Sequence, residues 1–463
     1  MASSKRKSPT TDEVVDSQIP KLDATAAHVQ PSLTAHLPPV ALNPADCELD
    51  FDIENNGLQG SALYRNAFAW CWSGARANVG ITGGKYCFGC KVISDQPVSM
   101  VYNTQDGQHL CRIGVSWEDD PVGDLGESLH SFCFEATGDT YTAGSCSEYG
   151  ESFGVGDKII CCLDLENSNN ASIGFFKNSK WLGVAKQFED HPNWRSAFFP
   201  HILLKNVVVR LQFSVEDGLD VVEGYKPWAS ALEDEKAFSG PTFSDVHCYE
   251  FIMLVGLPAS GKSTWAEKRV KDYPGKRYIV IGKSLMLDKM KVPGLTRKYG
   301  YGEMLGEIFN TLLSRASKLP RNFILDKMNL NKIDRKCELK SFSKHKKIAV
   351  VIFPALKELK MRSDKQFQEM RSKGNEVCEE PVDEMIVNFS LPTSKDMPCT
   401  DEYFDEVIFP EQGREEAQRC LDLMKAHIHS GQPTNLAPHP RPEEAIYINP
   451  AAQYDQNSMW SGT

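Results

Sequence analysis

Through the first half of the chain, apolar and polar positions alternate in short runs. Tyr86–Ile93, Cys111–Val115, Ser131–Glu135, Lys158–Leu165, Ala171–Lys177 and Val207–Phe213 are bounded by Gly, Asn and Asp clusters. A period near two is that of a strand with alternate side chains on opposite faces. Gly83-Gly84, Thr137-Gly138-Asp139 and Asn178-Ser179 supply turn chemistry between the runs. Long helical periodicity is missing here, so residues 47–215 are predicted to form a β-sandwich.

After residue 246 the pattern changes. A buried strand at Tyr249–Val255 runs into a Gly-rich loop and a helical pattern from Ser263 to Lys271. Arg277–Ile281, Asn322–Asp326 and Ile348–Phe353 read as further strands. Helical periodicity returns at Glu303–Leu319, and a last helix is predicted at Arg414–His427. Alternating strand and helix over 247–427 predicts an α/β domain with a parallel sheet and crossover helices.

The flanks lack periodicity. Residues 1–46 read as a disordered tail with a basic cluster, Lys5-Arg6-Lys7, of the kind that serves in nuclear import. Residues 216–246 read as an acidic linker, and 428–463 as a second disordered tail containing prolines. The longest apolar runs reach about ten residues, half of what a membrane helix needs, so no membrane partner is expected. The first residues form no secretory signal, so the 14 cysteines are expected as reduced thiols. Cys87 and Cys90 stand three apart on a predicted strand and should face opposite sides, which suits core thiols and not a zinc site.

Composition sharpens this picture only once it is divided. The chain of 463 residues carries a net charge of −11, which alone argues against a polyanion partner. Residues 251–375, however, hold 28 basic and 11 acidic side chains, a balance of +17. The remainder carries −28. A basic domain joined to acidic surroundings points to a polyanion partner for the basic part.

The chemistry concentrates in Gly256-Leu-Pro-Ala-Ser260-Gly261-Lys262-Ser263-Thr264. It fits G-x-x-x-x-G-K-[ST] between a buried strand and a helix. Glycines let successive backbone N–H groups turn toward phosphate oxygens, and the helix N-terminus adds its positive end. Lys262 is expected on the β- and γ-phosphates of ATP or GTP, and the Ser263 hydroxyl on Mg²⁺. Asn322-Phe-Ile-Leu-Asp326 ends a second strand in a carboxylate suited to the same Mg²⁺ shell. Arg335 and Lys336 are candidate lid residues over the phosphates. Lys340, Lys344, Lys346 and Lys347 are candidate contacts to an RNA backbone.

Two resemblances follow from these residues. The loop from Gly256 to Trp265, with Phe323-Ile-Leu-Asp326-Lys-Met-Asn329-Leu-Asn331 and Arg335, resembles polynucleotide-kinase-type P-loop proteins. In those kinases an arginine-bearing helix forms a lid. The β region resembles a SPRY domain at Gly84-Lys85-Tyr86, Arg112–Trp117, Tyr149–Asp157, Ile173–Val184 and Phe199–Asn206. The order of the two domains is similar to that of the heterogeneous nuclear ribonucleoprotein U group. So are Leu287–Met290, Arg321–Asp326, Asn388–Pro392 and Tyr403–Val407. This resemblance implies a nuclear, RNA-associated scaffold in pre-mRNA processing or chromatin and RNA organisation. It implies nucleotide binding by the P-loop domain, and the SPRY domain is expected to bind protein partners. Nucleotide state is expected to order the lid and change RNA association or self-association, as switch segments do in P-loop proteins. Neither a helical SAP module nor an Arg-Gly-Gly tail, both usual in that group, is evident in the two tails.

Kinase activity is the second reading. The resembling kinases place an Asp base just after the second strand. Here Ile281-Gly282-Lys283-Ser284 stands at that position, and no carboxylate follows until Asp288. Loss of a general base costs about 10²–10⁴-fold. Nucleotide binding with weak or no phosphotransfer is therefore expected, and slow hydrolysis remains open. A third reading is a SPRY adaptor with a vestigial P-loop.

Overall fold

The structure is a computed structural model. It describes residues 22–23, 39–54, 56–98, 108–167, 170–188, 196–243, 249–282, 286, 289–290, 301–372, 379–380, 382–398, 400–432, 434, 436 and 439–440. Lys283, Ser284, Asp288 and the basic cluster at Lys5–Lys7 lie outside them.

Two antiparallel sheets form the expected sandwich. In one, Leu110–Trp117 and Phe198–Lys205 are central neighbours, with Ser73–Ala77 and Leu42–Cys47 toward one edge. In the other, Gly84–Asp95 lies between Lys158–Leu165 and Val207–Gln212. The alternation read from the sequence decides which face packs inward. Cys90 and Cys161 lie between the sheets, while Cys87 and Cys162 face a separate small cluster on the outer side. The hairpin turn at Asn178-Ser179 takes φ of 45° and 68°, the double left-handed geometry that matches strand twist.

Two boundaries differ from the sequence reading. The sandwich begins with the strand Leu42–Cys47, inside the predicted tail. Residues 216–243 are folded onto the sandwich and do not form a free linker. Trp228 is fully buried, packs edge-on against Phe88 and donates its indole N–H to the Val79 carbonyl at 2.9 Å. Lys226–Pro227 and Ala237–Ser239 add strands to the two sheets. The acidic residues here hide this from a charge-based reading. Asp234 accepts from Tyr86 Oη at 2.7 Å and from Lys226 Nζ at 2.8 Å.

The second domain has the predicted parallel sheet. Its elements are β1 (Glu250–Val255), α1 (Lys262–Asp272), β2 (Ile279–Gly282), α2 (Tyr301–Ala316), β3 (Phe323–Asp326), α3 (Lys332–Ser341), β4 (Lys346–Val351), α4 (Leu356–Ser372), α5 (Val382–Asn388), β5 (Glu406–Ile408) and α6 (Arg414–His429). Strand order is β2-β3-β1-β4-β5, all parallel. The central β1 is buried on both faces, which explains its near-continuous apolar run. The chain after β1 sits at the carboxyl end of the sheet, where strand order changes direction and where ligands bind in open α/β folds. Among the described residues, no helix is long and apolar enough to cross a membrane.

Candidate functional site

The loop after β1 is held by backbone bonds and close packing. Gly256 N–H donates to the Met328 carbonyl at 3.0 Å. A Cβ on Gly256 would stand 2.6 Å from the Ile352 carbonyl oxygen, so the position admits only glycine. Ala259 (φ 58°) and Gly261 (φ 102°) take left-handed conformations that curl the loop into a concave nest of N–H groups. Gly261 N-caps α1 without any side-chain cap, leaving the first-turn N–H groups without an internal acceptor.

Inside this nest Ser260 is buried, and its hydroxyl has no hydrogen-bond partner. Lys262 Nζ folds back to the Leu257 carbonyl at 2.8 Å. Burial lowers its pKa to about 8, against the opposing pull of Asp326. Ser263 Oγ donates to Asp326 Oδ2 at 2.6 Å, bringing together the two residues chosen for the metal shell. The Ser263 and Thr264 side chains are exposed. A glycine-only cradle, an orphaned hydroxyl, open helix N–H groups and a lysine short of charge partners form a donor set for a polyphosphate. The hydroxyl and carboxylate 2.6 Å apart suit a hard divalent cation such as Mg²⁺.

Asn329, in the matched segment after β3, has a left-handed φ of 48° and donates to the Leu254 carbonyl at 2.7 Å. It ties the β3 exit to β1, beside the loop. Asn331 then caps α3 by accepting from Ile333 N–H at 2.8 Å.

The lid candidates stand elsewhere. Arg335 is fully buried. It pairs with Glu402 at 2.7 and 3.1 Å and donates to the carbonyls of Asn329, Leu330 and Ser390. A guanidinium so committed braces the α3–α5 region and is not available to phosphates. Lys336 pairs with Asp401 at 2.7 Å on the surface. The arginine that does reach the loop is Arg362 on α4, whose Nη1 donates to the Ser260 carbonyl at 2.7 Å. Glu358 and Glu411 hold its guanidinium from the far side, at 2.7 and 3.3 Å. Sequence reading missed it: α4 is mostly polar, and among its described side chains Leu359 alone is buried. The signal available was an arginine nearly two turns into the helix after the fourth strand.

The RNA-backbone candidates do not join this site. Lys346 opens β4 in register with Glu250, at the amino end of the sheet, and pairs with Glu406 at 2.8 Å. Lys347 is held there by its backbone N–H to Asp405 at 2.8 Å. Lys340 and Lys344, at the end of α3 and beyond, are exposed. The basic face and the phosphate loop thus occupy opposite ends of the sheet.

Fold and site together define a two-domain protein, a SPRY sandwich followed by a P-loop domain of kinase-like type. Residues 98–216 match the SPRY domain family and residues 251–392 an AAA domain family. The chain is 31% identical over 402 residues, 83% of its own length, to heterogeneous nuclear ribonucleoprotein U-like protein 2 of Mus musculus. The same protein of Homo sapiens matches equally. The resemblance to the heterogeneous nuclear ribonucleoprotein U group is thereby borne out. The chain spans about half the length of these curated relatives, 51% of each. It is also 35% identical over 147 residues to ATP-dependent RNA helicase Ddx1 of Drosophila melanogaster, 32% of this chain and 18% of that protein. Among solved structures, the SPRY domain of human HERC1 matches 37% of this chain and 97% of its own, at 20% identity and a TM-score of 0.29.

Proposed function

We propose that this protein is an RNA-associated nuclear scaffold whose P-loop domain binds ATP or GTP with Mg²⁺. Its SPRY domain would dock protein partners through the loops at one end of the sandwich. The observation that carries nucleotide binding is the Ser263–Asp326 pair at 2.6 Å beside the partnerless Ser260 hydroxyl. Gly256, Ser260, Gly261, Lys262, Ser263 and Thr264 would hold the phosphates, and Ser263 with Asp326 the Mg²⁺. Arg362 already donates to the loop at the Ser260 carbonyl, which supports it in place of Arg335 as the arginine of the site.

Association with RNA rests on the charge of the P-loop domain and on the kinds of protein to which the chain is similar. Lys340 and Lys344 would carry it, at the end of the sheet away from the nucleotide. A role in pre-mRNA processing or chromatin and RNA organisation follows from the same similarity, and nucleotide-dependent self-association would follow from ordering of switch segments by the nucleotide.

The test is limited proteolysis of the full chain with Mg-ATP or Mg-GTP. Nucleotide should protect the P-loop domain, and Lys262→Ala should remove the protection. Equal protection in the variant would sink the proposal. Crosslinking to RNA in cells, compared between wild type and Lys340→Ala/Lys344→Ala, tests the RNA face. Transfer of label from ATP to a 5′-hydroxyl RNA above the Lys262→Ala background would instead establish the kinase reading.

A further inference from the structure

The two domains share a core. Leu49, Phe68 and Trp70 of the sandwich lie in one apolar cluster with Met290, Ile308 and Phe309 of the P-loop domain. Around it, four cations of the second domain converge on the strip 46–52 of the first. Arg277 meets Asp46 at 2.6 Å and Glu118 at 3.2 Å. Lys289 meets Asp50 at 2.6 Å and Glu48 at 2.8 Å. Arg315 meets Asp52 at 2.6 Å and the Phe51 carbonyl at 3.1 Å. Arg321 donates to the Cys47 carbonyl at 2.8 Å. Asp46 and Asp50 are each 1% exposed, so they cannot exchange these partners for water. The sandwich side is fixed as well. Asp50 accepts from Ser73 Oγ, Glu48 from Gly74 N–H, and Asp46 from Arg76.

This junction also touches the phosphate site. Gly282, the last residue of β2, lies in register beside Asp326. A Cβ on it would stand 3.1 Å from the Asp326 carbonyl. The chain leaving Gly282 soon reaches Met286, Lys289 and Met290 in the junction, where the Trp72 N–H donates to the Lys289 carbonyl at 3.1 Å. The sandwich thus grips the segment that leaves the candidate metal carboxylate's neighbour strand.

We infer that the sandwich and the P-loop domain form one cooperative unit joined by this buried charge cluster, so that a ligand at the phosphate loop stabilises the SPRY sandwich as well as its own domain. Separate modules on a linker would unfold separately. Here, opening the junction takes Arg277 from Asp46 and Lys289 from Asp50 and exposes a common core, which couples the two halves. The ligand part of this inference rests on the nucleotide reading above.

Hydrogen exchange along a urea series in the full chain tests it, read in Phe198–Lys205 and in β1. The expected result is a single midpoint for both segments. Arg315→Glu should lower both midpoints together, and adding Asp52→Lys should restore part of the loss in both. Both side chains are partly exposed, so the swap tests the pair without burying a new charge. Distinct midpoints in wild type, or a fall confined to one segment in Arg315→Glu, would overturn the inference. With Mg-ATP added, both midpoints should rise. A rise in β1 alone overturns the coupling. If neither rises, the nucleotide reading fails, and the single midpoint with its charge-swap rescue still decides the cooperative unit.

Discussion

At the scale of residues, the site separates groups that face a ligand from groups that hold the loop. Ser263 and Asp326 hydrogen-bond to each other at the mouth of the loop, so removing the Ser263 hydroxyl should alter metal-dependent binding and leave folding intact. Ser263→Ala is expected to weaken nucleotide about 10-fold or more in Mg²⁺. It should have little effect in a chelator, as read by fluorescence titration with labelled nucleotide. Arg335 belongs to the other group. Replacing it by alanine leaves the Glu402 carboxylate buried and unpaired, which costs about 3–5 kcal/mol. Urea unfolding of Arg335→Ala should show this loss. Nucleotide affinity measured under conditions where the variant is still folded should stay near wild type. A large affinity loss in the stable fraction would restore Arg335 to the phosphate site.

At the scale of elements, burial overrules local composition in two places. The stretch after residue 215 is rich in Asp and Glu, yet Leu219, Val222, Trp228 and Ala231 are buried and the Trp228 indole N–H is bonded to the Val79 carbonyl. Trp228→Ala removes a fully enclosed indole and should destabilise the sandwich by about 3–5 kcal/mol. Thermal unfolding of the full chain measures it. A free linker would show no change. The mirror case is α4. Its mostly polar, largely unburied side chains hide a helix of 17 residues that delivers Arg362 to the loop. A helix with so few buried side chains leaves a faint trace in the hydropathy pattern.

At the scale of the whole molecule, the junction makes stability depend on pH. Burial alone would raise the Asp46 pKa, but Arg76 and then Arg277 outweigh it and hold the carboxyl below its ordinary value. A depressed carboxylate contributes stability that is complete above its unfolded pKa, near 4, and is lost as pH falls through the lower folded value. Glu48 acts in the opposite sense, because burial raises its pKa despite Lys289. Asp46→Asn should therefore be less stable than wild type at neutral pH. Its unfolding midpoint should also fall less steeply with acid below about pH 4, where the wild type loses this contribution. Urea midpoints across the acid range check both. Parallel slopes would show that Asp46 does not couple to protons through folding.

The sequence by itself determined both fold classes, the order of the domains and the phosphate loop. Period-two alternation, turn residues and a spaced glycine motif are local signals, carried by neighbours along the chain. It also placed Ser263 and Asp326 in one shell, because each ends or begins an element whose place in a P-loop fold is invariant. Only the tertiary structure decided which arginine faces the loop. Arg335 and Arg362 both follow core strands on helices, and their roles are set by Glu402 on one side and the Ser260 carbonyl on the other. The same holds for the charge. Summed along the chain, the +17 of residues 251–375 reads as a surface for a polyanion. In the folded protein, Arg277, Lys289, Arg315 and Arg321 turn inward onto the sandwich, and Lys340 and Lys344 remain on the surface. Which cations meet solvent is fixed by packing between residues more than two hundred positions apart, and no local pattern encodes it.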